Sequence, residues 1–502
     1  MRAILLVLSV FFIALRTTAQ PTGVFTVAPD ALPHSQLPHV PLLGNGRIGI
    51  ALDATSRRGG AAVAGPGRKN TLDLWIGSNS MWSCQFRCNS YSPGCCRVVS
   101  LGGVSLSLLP TFGAGAPTSF YAEQRTASGT LYVNMSSPRG STFEVTIQLH
   151  PDDNVATLAL AYTARGGDPP TLALNASVWA TAPTRSGNDP HPQSVGCTNA
   201  ACGAGGVAVS RRASDPNTSP VPVWAALALA PAAGAAVTWR GVTSNASGAV
   251  WEATLVLQVA SGSTATLLLA EAETWTHNAS DPSAAAAALA EATPPAAVGA
   301  AAAAFWGAFW ARSGVALGSP SRHYVSDVWY GAQYVLACTS PRAFNVTPTP
   351  GLYGVWATSD GAEWSGDYTL DYNQESTYFG VYSSNHPELA EGYFAPILDW
   401  QVWGLQHAAA AAAASGITCP NTTLHYGCHL APWGMQSDDV STYMHWNGQF
   451  GSLLFFNHWE YLQNDTFARA AIYPLVSGLN DWFACYFAKN VTDAATGAYE
   501  YM

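Results

Sequence analysis

Residues 351–380 read GLYGVWATSDGAEWSGDYTLDYNQESTYFG, and they decide how the rest of the chain is read. Within this stretch Glu363, Asp367, Asp371, Asn373 and Glu375 set four acids and an amide among aromatic side chains, in a chain that is only 10% charged. Tyr378, Tyr382, Glu388 and Glu391 follow. Aromatic rings stack on the apolar faces of sugars and carboxylates accept hydroxyl protons, so the run has the composition of a sugar cleft. In a solvated loop the same residues would carry no chemistry.

Moving outward, residues 320–502 hold 34 of the 56 Phe, Trp and Tyr residues, together with 16 acids and 4 bases. That part carries a formal charge of -12, and residues 1–319 carry +2. A composition shift of this size marks two regions of different type. The C-terminal region has apolar periodicity at Val325, Val328, Trp329 and Gln333 to Leu336, then over 389–403, 453–461 and 472–487, which predicts helices joined by Gly- and Trp-rich connections. An aromatic-rich helical core accounts for the composition as readily as a sugar site does. A second candidate site is His458-Trp459-Glu460, inside the apolar run 453–462. A carboxyl on the buried face of that helix would have a raised pKa and could protonate a leaving group, whereas a Glu460 facing water would not.

The N-terminal region reads as strands. TLYVN (130–134), TFEVTIQLH (142–150), ATLALAY (156–162) and WEATLVLQV (251–259) alternate with period two between Gly, Pro, Ser and Asn punctuation, which predicts antiparallel sheets packed as a sandwich. From 281 to 313 nearly every residue is a helix former, with one break at Pro294-Pro295, so two short helices bridge the regions. The Ala runs there and at 408–414 carry little information by themselves.

At 502 residues and 48% hydrophobic, the chain is too large for a disulfide scaffold and too apolar for a disordered one. No apolar run past the N-terminus reaches the ~18 residues of a spanning helix. The net charge of -10 and the lack of a basic stripe exclude nucleic acid as a partner. Residues 1–19 read as a secretory signal, with Arg2, an apolar run from Ala3 to Leu15, and small residues Thr17 and Ala19 before the cut. A secreted or secretory-pathway location follows. Ten cysteines are then expected to pair: two local bridges among Cys84, Cys88, Cys95 and Cys96, short loops at Cys197–Cys202 and Cys419–Cys428, and Cys338 with Cys485 either bridged or free. Sequons at Asn134, Asn175, Asn217, Asn245, Asn278, Asn345, Asn421, Asn464 and Asn490 suggest a glycoprotein and mark candidate surface loops. Phosphate-loop, zincin and Gly-x-Ser-x-Gly motifs do not occur.

Several ordered blocks resemble glycoside hydrolase family 95, the inverting α-L-fucosidases. PLLGNGRIGIAL (41–52) looks like the family's P-L-G-N-G-R-L-G start, and TLDLWIGS (71–78) sits where its L-N-E-D-T-L-W-S-G would be. FWGAFWARSGVALG (305–318), GAQYVLACTSP (331–341), the opening stretch 351–380, NHWEYLQND (457–465) and YPLVSGLNDWFACY (473–486) follow in the family's order. The resemblance implies an antiparallel β-super-sandwich, a helical linker and an (α/α)6 barrel of the six-hairpin glycosidase type, divided here as 20–280, 281–319 and 320–502. It implies no cofactor and no metal. In the family, the second Asn of Y-T-I-N-I-N helps position the attacking water, and it falls on Asn373. A Glu donates the leaving-group proton, for which Glu460 is the match because Trp-Glu is retained.

Two departures accompany the likeness. The family's first Asn is Asp371 here, which places a carboxylate where it could act as a direct general base. The family's Gln-Met-Asn-Tyr-Trp becomes Glu375-Ser376-Thr377-Tyr378-Phe379, which alters pocket side chains and leaves the sugar open, galactosides included. Moreover, a twelve-helix barrel needs on the order of 350 residues, whereas 183 follow residue 319. Only the N-terminal half of the barrel is expected within this sequence, with the base-assisting carboxylate beyond Met502.

The sequence therefore predicts a secreted glycosidase that removes a terminal α-linked sugar, L-fucose first, from an oligosaccharide or glycoconjugate with inversion. Glu460 is the acid and Asn373 with Asp371 the water-positioning pair. Trp356, Trp364, Tyr368, Glu375, Tyr378 and His458 are candidate sugar contacts. The alternatives are a non-catalytic carbohydrate-binding protein on the same scaffold, or a phosphorolytic relative. No membrane partner is predicted, and the sequence sets no oligomeric state.

Overall fold

The structure is a computed structural model that describes residues 20–29, 32–34, 38–54, 70–86, 94–108, 117–181, 194–197, 206–213, 223–232, 237–244, 251–274, 282–317, 323–341, 348–437, 444–486, 491–492 and 499–500. The predicted signal at 1–19 lies outside them, as do Cys88, Cys202 and the sequons Asn217, Asn245, Asn278, Asn345 and Asn490.

Two sheets form the N-terminal region. One runs, edge to edge, Thr22–Phe25, Ser119–Arg125, Thr130–Ser136, Thr142–Leu149, Val155–Thr163, Thr264–Glu273, Trp224–Pro231, Val207–Arg212 and Ser194–Cys197. The other runs Val237–Ser244, Trp251–Ala260, Thr171–Ala180, Gly102–Leu108, Thr71–Ser78, Ile48–Asp53 and Leu42–Gly44. Neighbouring strands pair antiparallel, as in the register Thr142↔Thr163 through Leu149↔Ala156. The sheets share one core of Leu, Ile and Val side chains, among them Ile50, Leu74, Leu106, Val133, Val145, Leu158 and Leu267.

The burial pattern explains the two kinds of strand sequence. Thr142–Leu149 alternates half-buried and buried positions along its whole length, as its period-two pattern predicts. Ile48–Asp53 and Thr71–Ser78 are buried at every position. Their outer face does not meet water: Ala51, Trp75 and Trp179 join a second core with Trp306, Trp310, Tyr334, Trp356 and Tyr393 of the helical part.

Helices α1 (Ser283–Ala292) and α2 (Pro295–Trp310) follow the sandwich, with Pro295 opening α2, where its missing N–H costs nothing. The Ala run has a packing role that composition does not reveal. Ala286 and Ala287 lie on Ala208, Ala226, Ala228 and Ala272 of the nine-stranded sheet, so small side chains on both surfaces let helix and sheet approach closely.

The helical region contains α3 (His323–Thr339), α4 (Asn373–Tyr378), α5 (Glu391–Asp399), α6 (Gln401–Ala414), α7 (Asn447–Gly451), α8 (Leu453–Leu462), α9 (Asp465–Phe467) and α10 (Tyr473–Tyr486), with short 3₁₀ and π turns between them. It docks on the sandwich through the turn between Leu42–Gly44 and Ile48–Asp53. Gly46, at φ +83°, donates its N–H to Cys338 O at 2.7 Å, and a Cβ there would lie 2.3 Å from Pro341 N. Asn79 Nδ2 bonds Gly46 O at 2.6 Å and Pro348 O at 2.5 Å, while Trp356 Nε1 donates to Leu43 O at 2.7 Å. The Gly-Asn-Gly block at 44–46 is thus a domain contact, in which glycine is required by close approach.

Two expectations are corrected. Cys419 pairs with Cys485 rather than Cys428, because the loop after α6 lies against α10; Cys428 and Cys338 are buried thiols. Asn134 and Asn175 lie within strands and are half-buried, not in loops. Of the two placements the sequence left open for Glu460, the structure has the exposed one, because the inward face of α8 is Leu454, Phe455 and His458, and two residues past His458 a helix points elsewhere. The expected Cys84 bridge does form locally, with Cys96.

Candidate active site

The acid-rich stretch does not present one acidic face. Glu363 is exposed, Asp367 is fully buried, Asp371 is half-buried and Glu375 is 1% exposed. Its path is set by a two-residue strand, Tyr368–Thr369, paired with His429–Leu430, and by Leu370 N donating to Cys428 O at 2.7 Å. Beneath it, Asp367 Oδ2 lies 2.9 Å from His429 Nδ1, and Thr369 Oγ1 donates to Asp367 Oδ1 at 2.6 Å. Burial alone would pull the imidazole down, but the bonds and charge of Asp367 and Cys428 outweigh it and push His429 up to about 10. A closed ion pair therefore anchors the strand from which Asp371 emerges.

Backbone strain brackets this anchor. Trp364, Ser365 and Gly366 are consecutive left-handed residues at φ 49°, 59° and 66°, and Tyr372 sits at φ 132° between Asp371 and Asn373. Non-glycine residues in such regions cost on the order of 1–3 kcal/mol each and concentrate at functional sites. Tyr372 is 59% exposed and Trp364 55%. Strained backbone thus carries two exposed aromatic rings, Trp364 and, next in sequence to both Asp371 and Asn373, Tyr372.

The Asp371 carboxyl has one oxygen, Oδ1, that is buried with no hydrogen-bond partner among the described residues. The carbonyl of Asn373 accepts from Ser376 Oγ at 3.2 Å and Thr377 Oγ1 at 3.0 Å, at the start of α4, while its side-chain amide makes no hydrogen bond among the described residues. Glu375 Oε2 accepts the Tyr372 N–H at 3.1 Å, and its Oε1 is buried without a partner. Burial, reinforced by Asp371, raises Glu375 to about 7 even though backbone hydrogen bonds oppose it.

The remaining predicted contacts are placed unequally. Trp364 is open to solvent, whereas Tyr368 is interior, with its hydroxyl bonded to Thr349 O. Trp356 and Tyr378 are buried but line a cavity of about 340 Å³ together with Tyr353, Gln374 and Thr377, between α3 and α4. His458 is buried, its Nδ1 3.2 Å from the Tyr382 hydroxyl and its ring against Phe394 and Phe467. Its neighbour Glu460 makes no side-chain hydrogen bond or ion pair among the described residues, and no direct contact joins it to Asp371 or Asn373. Sequence reading missed the Asp367–His429 pair, whose partners are 62 residues apart and meet only through the two-residue sheet. No described group of three His, Cys, Asp or Glu side chains could hold a metal ion, and no described helix is long and apolar enough to cross a membrane.

An antiparallel sandwich followed by helical hairpins, with the acidic, aromatic stretch at their connections, defines the six-hairpin glycosidase type of scaffold, of which the helical portion here is partial. Residues 323–499 match the Glycosyl hydrolase family 95 catalytic domain. Among solved structures, a putative kojibiose phosphorylase from the human microbiome aligns with TM-score 0.63 at 8% identity, over 92% of this chain and 59% of that one. The chain thus spans about 59% of that structure's length, and the likeness is one of fold. A bacterial glucoamylase complexed with acarbose aligns over 91% of this chain and 61% of its own at 9% identity, with TM-score 0.39. No curated protein matches the chain in sequence.

Proposed function

We propose that the chain is the β-sandwich and first helical part of a secreted glycoside hydrolase that removes a terminal α-linked sugar, L-fucose first, by single displacement with inversion. The observation that carries this reading is the placement of Asp371 and Asn373 on either side of strained Tyr372, within the segment that matches the family 95 catalytic domain. Asp371 takes the proton of the attacking water through its unpartnered oxygen, and Asn373 holds that water with its unengaged amide. Trp364 and Tyr372 offer rings for the apolar face of the sugar. Glu460 protonates the leaving oxygen once glycan covers the outer face of α8, since water surrounds it in the free chain. The chain divides into sandwich, linker and barrel near residues 280 and 319.

Two substitutions test the roles. Asp371→Asn should lower turnover of 4-nitrophenyl α-L-fucoside by about 10²-fold or more with the protein folded, the usual worth of a general base; unchanged turnover removes Asp371 from that role. Glu460→Gln should spare this activated substrate but lose most turnover of a fucosyl oligosaccharide, whose leaving group needs the proton. The outward placement of Glu460 favours a second reading, a glycan-binding protein without turnover. Binding of fucosylated glycans with no sugar released, with or without added phosphate, would establish it.

A further inference from the structure

Glu375 occupies a position where the resembling family has Gln, and none of the chemistry above uses it. Its carboxyl touches no solvent. Oε2 is tied to the Tyr372 N–H at 3.1 Å. Oε1 lies against α7, 3.6 Å from where a Cβ on Gly451 would be, and the Tyr393 hydroxyl, 3.2 Å from the same point, is donated to Gly451 O at 2.7 Å. Oε1 has no partner among the described residues. A carboxylate in this place would bury a charge on an oxygen that nothing solvates, whereas the neutral acid keeps the single bond to Tyr372 at much lower cost.

That one bond has leverage. Tyr372, at φ 132°, is the residue between Asp371 and Asn373, and its conformation persists only if neighbours hold it. We propose that neutral Glu375 is the positioning residue for the attacking water, fixing Tyr372 and through it the Asp371 and Asn373 side chains, and that its ionisation, by drawing the charged carboxyl out of this unsolvated place, releases them. The inference rests on the hydrolase reading of that pair. Burial and the Asp371 charge push the carboxyl towards neutrality, the backbone N–H groups of Glu375 and Tyr372 pull the other way, and no cation faces it. Asp371 on the incoming chain is acidic, Tyr393 of α5 and Tyr378 of α4 itself are phenols raised by burial, the strand Tyr368–Thr369 adds no cation, and α7 contributes Gly451 alone. The raised carboxyl, about 7, agrees.

The test uses the full chain and 4-nitrophenyl α-L-fucoside, whose leaving group departs without acid help, so a basic limb does not report a leaving-group acid. Wild type should lose kcat/KM about tenfold per pH unit above pH 7. Glu375→Gln, isosteric and always neutral, should stay within about threefold of wild type near pH 5.5 and hold that value to pH 8. Glu375→Ala should lose about 30-fold or more at every pH. An unchanged limb in the Gln variant, loss of activity at all pH values in a folded Gln variant, or an Ala variant equal to wild type would each overturn the proposal. Urea unfolding of wild type and the Gln variant separates this inference from the hydrolase reading. Relative to the variant, wild type should lose midpoint concentration as pH rises from about 4.5 to about 7. If no glycoside is turned over but this difference appears, the hydrolase reading falls and the neutral Glu375 clamp stands; if the difference is absent, the clamp falls whatever the activity.

Discussion

At the scale of single residues, Asp371, Tyr372, Asn373 and Glu375 form one unit in which two candidate catalytic side chains depend on a strained peptide and the strained peptide on a buried acid. Folded Glu375 holds its proton to about 7 against 4.5 in the open chain, so its contribution to stability is fully present below about pH 4.5 and is lost by about pH 7, on the order of 3 kcal/mol. The sequence singled out Asn373 and Asp371 because the motif that marks them is local. It could not separate Asp367, Asp371 and Glu375 from one another, because spacing along an irregular loop carries no periodicity and each turn was set by its partners: His429 for Asp367, the Tyr372 N–H for Glu375. Glu460 shows the converse. Its apolar run left both placements open, and the helix turns it outward while His458 takes the interior.

At the scale of elements, the strands at 130–134, 142–150, 156–162 and 251–259 were readable from alternation and the two linker helices from Pro294-Pro295, because both signals are local. The doubly buried strands Ile48–Asp53 and Thr71–Ser78 lack that alternation, since the second face is covered by helices hundreds of residues away. The Cys419–Cys485 bridge belongs to this scale too. It fastens the loop after α6 to α10 across 66 residues, and opening it by Cys419→Ser with Cys485→Ser should cost on the order of 4 kcal/mol in the chain-entropy picture, read as a lower urea midpoint. The same two helices enclose stacked His407, His425 and His445 against Trp482. Burial, then the neighbouring imidazoles, pushes His425 down to about 2, so it is neutral in the fold and charges in the open chain below about pH 6.5. Stability of this packing should therefore fall as pH drops through 6, opposite in sign to the Glu375 effect. Thermal unfolding should show the acid loss diminished in His425→Phe, which keeps a flat ring in the stack.

At the scale of the whole molecule, sandwich and helices are joined by polar contacts that a sliding interface would not have. Arg211, 1% exposed, grips Asp360 with both terminal nitrogens, at 2.9 and 2.6 Å, and Ser100 completes the cluster from the seven-stranded sheet's side. Removing one partner leaves a buried charge, so Asp360→Ala should cost about 3–5 kcal/mol in urea unfolding, far more than an exposed ion pair such as Arg312 with Glu388. Gly46→Ala should separate the regions for a steric reason, since its Cβ has no room beside Pro341. None of these joints was visible in the chain, because each links residues from opposite ends of it. They matter for function because Trp356, which bonds the sandwich through Leu43 O, lines the cavity beside α4.

The central claim is that Asp371 and Asn373 deliver water directly to an α-linked anomeric carbon. Proton NMR of an α-L-fucoside during the first minutes of turnover tests it most directly. Initial release of the β-anomer, abolished in Asp371→Asn, is the predicted result; initial release of the α-anomer, or β-anomer release undiminished in that variant, would contradict the account.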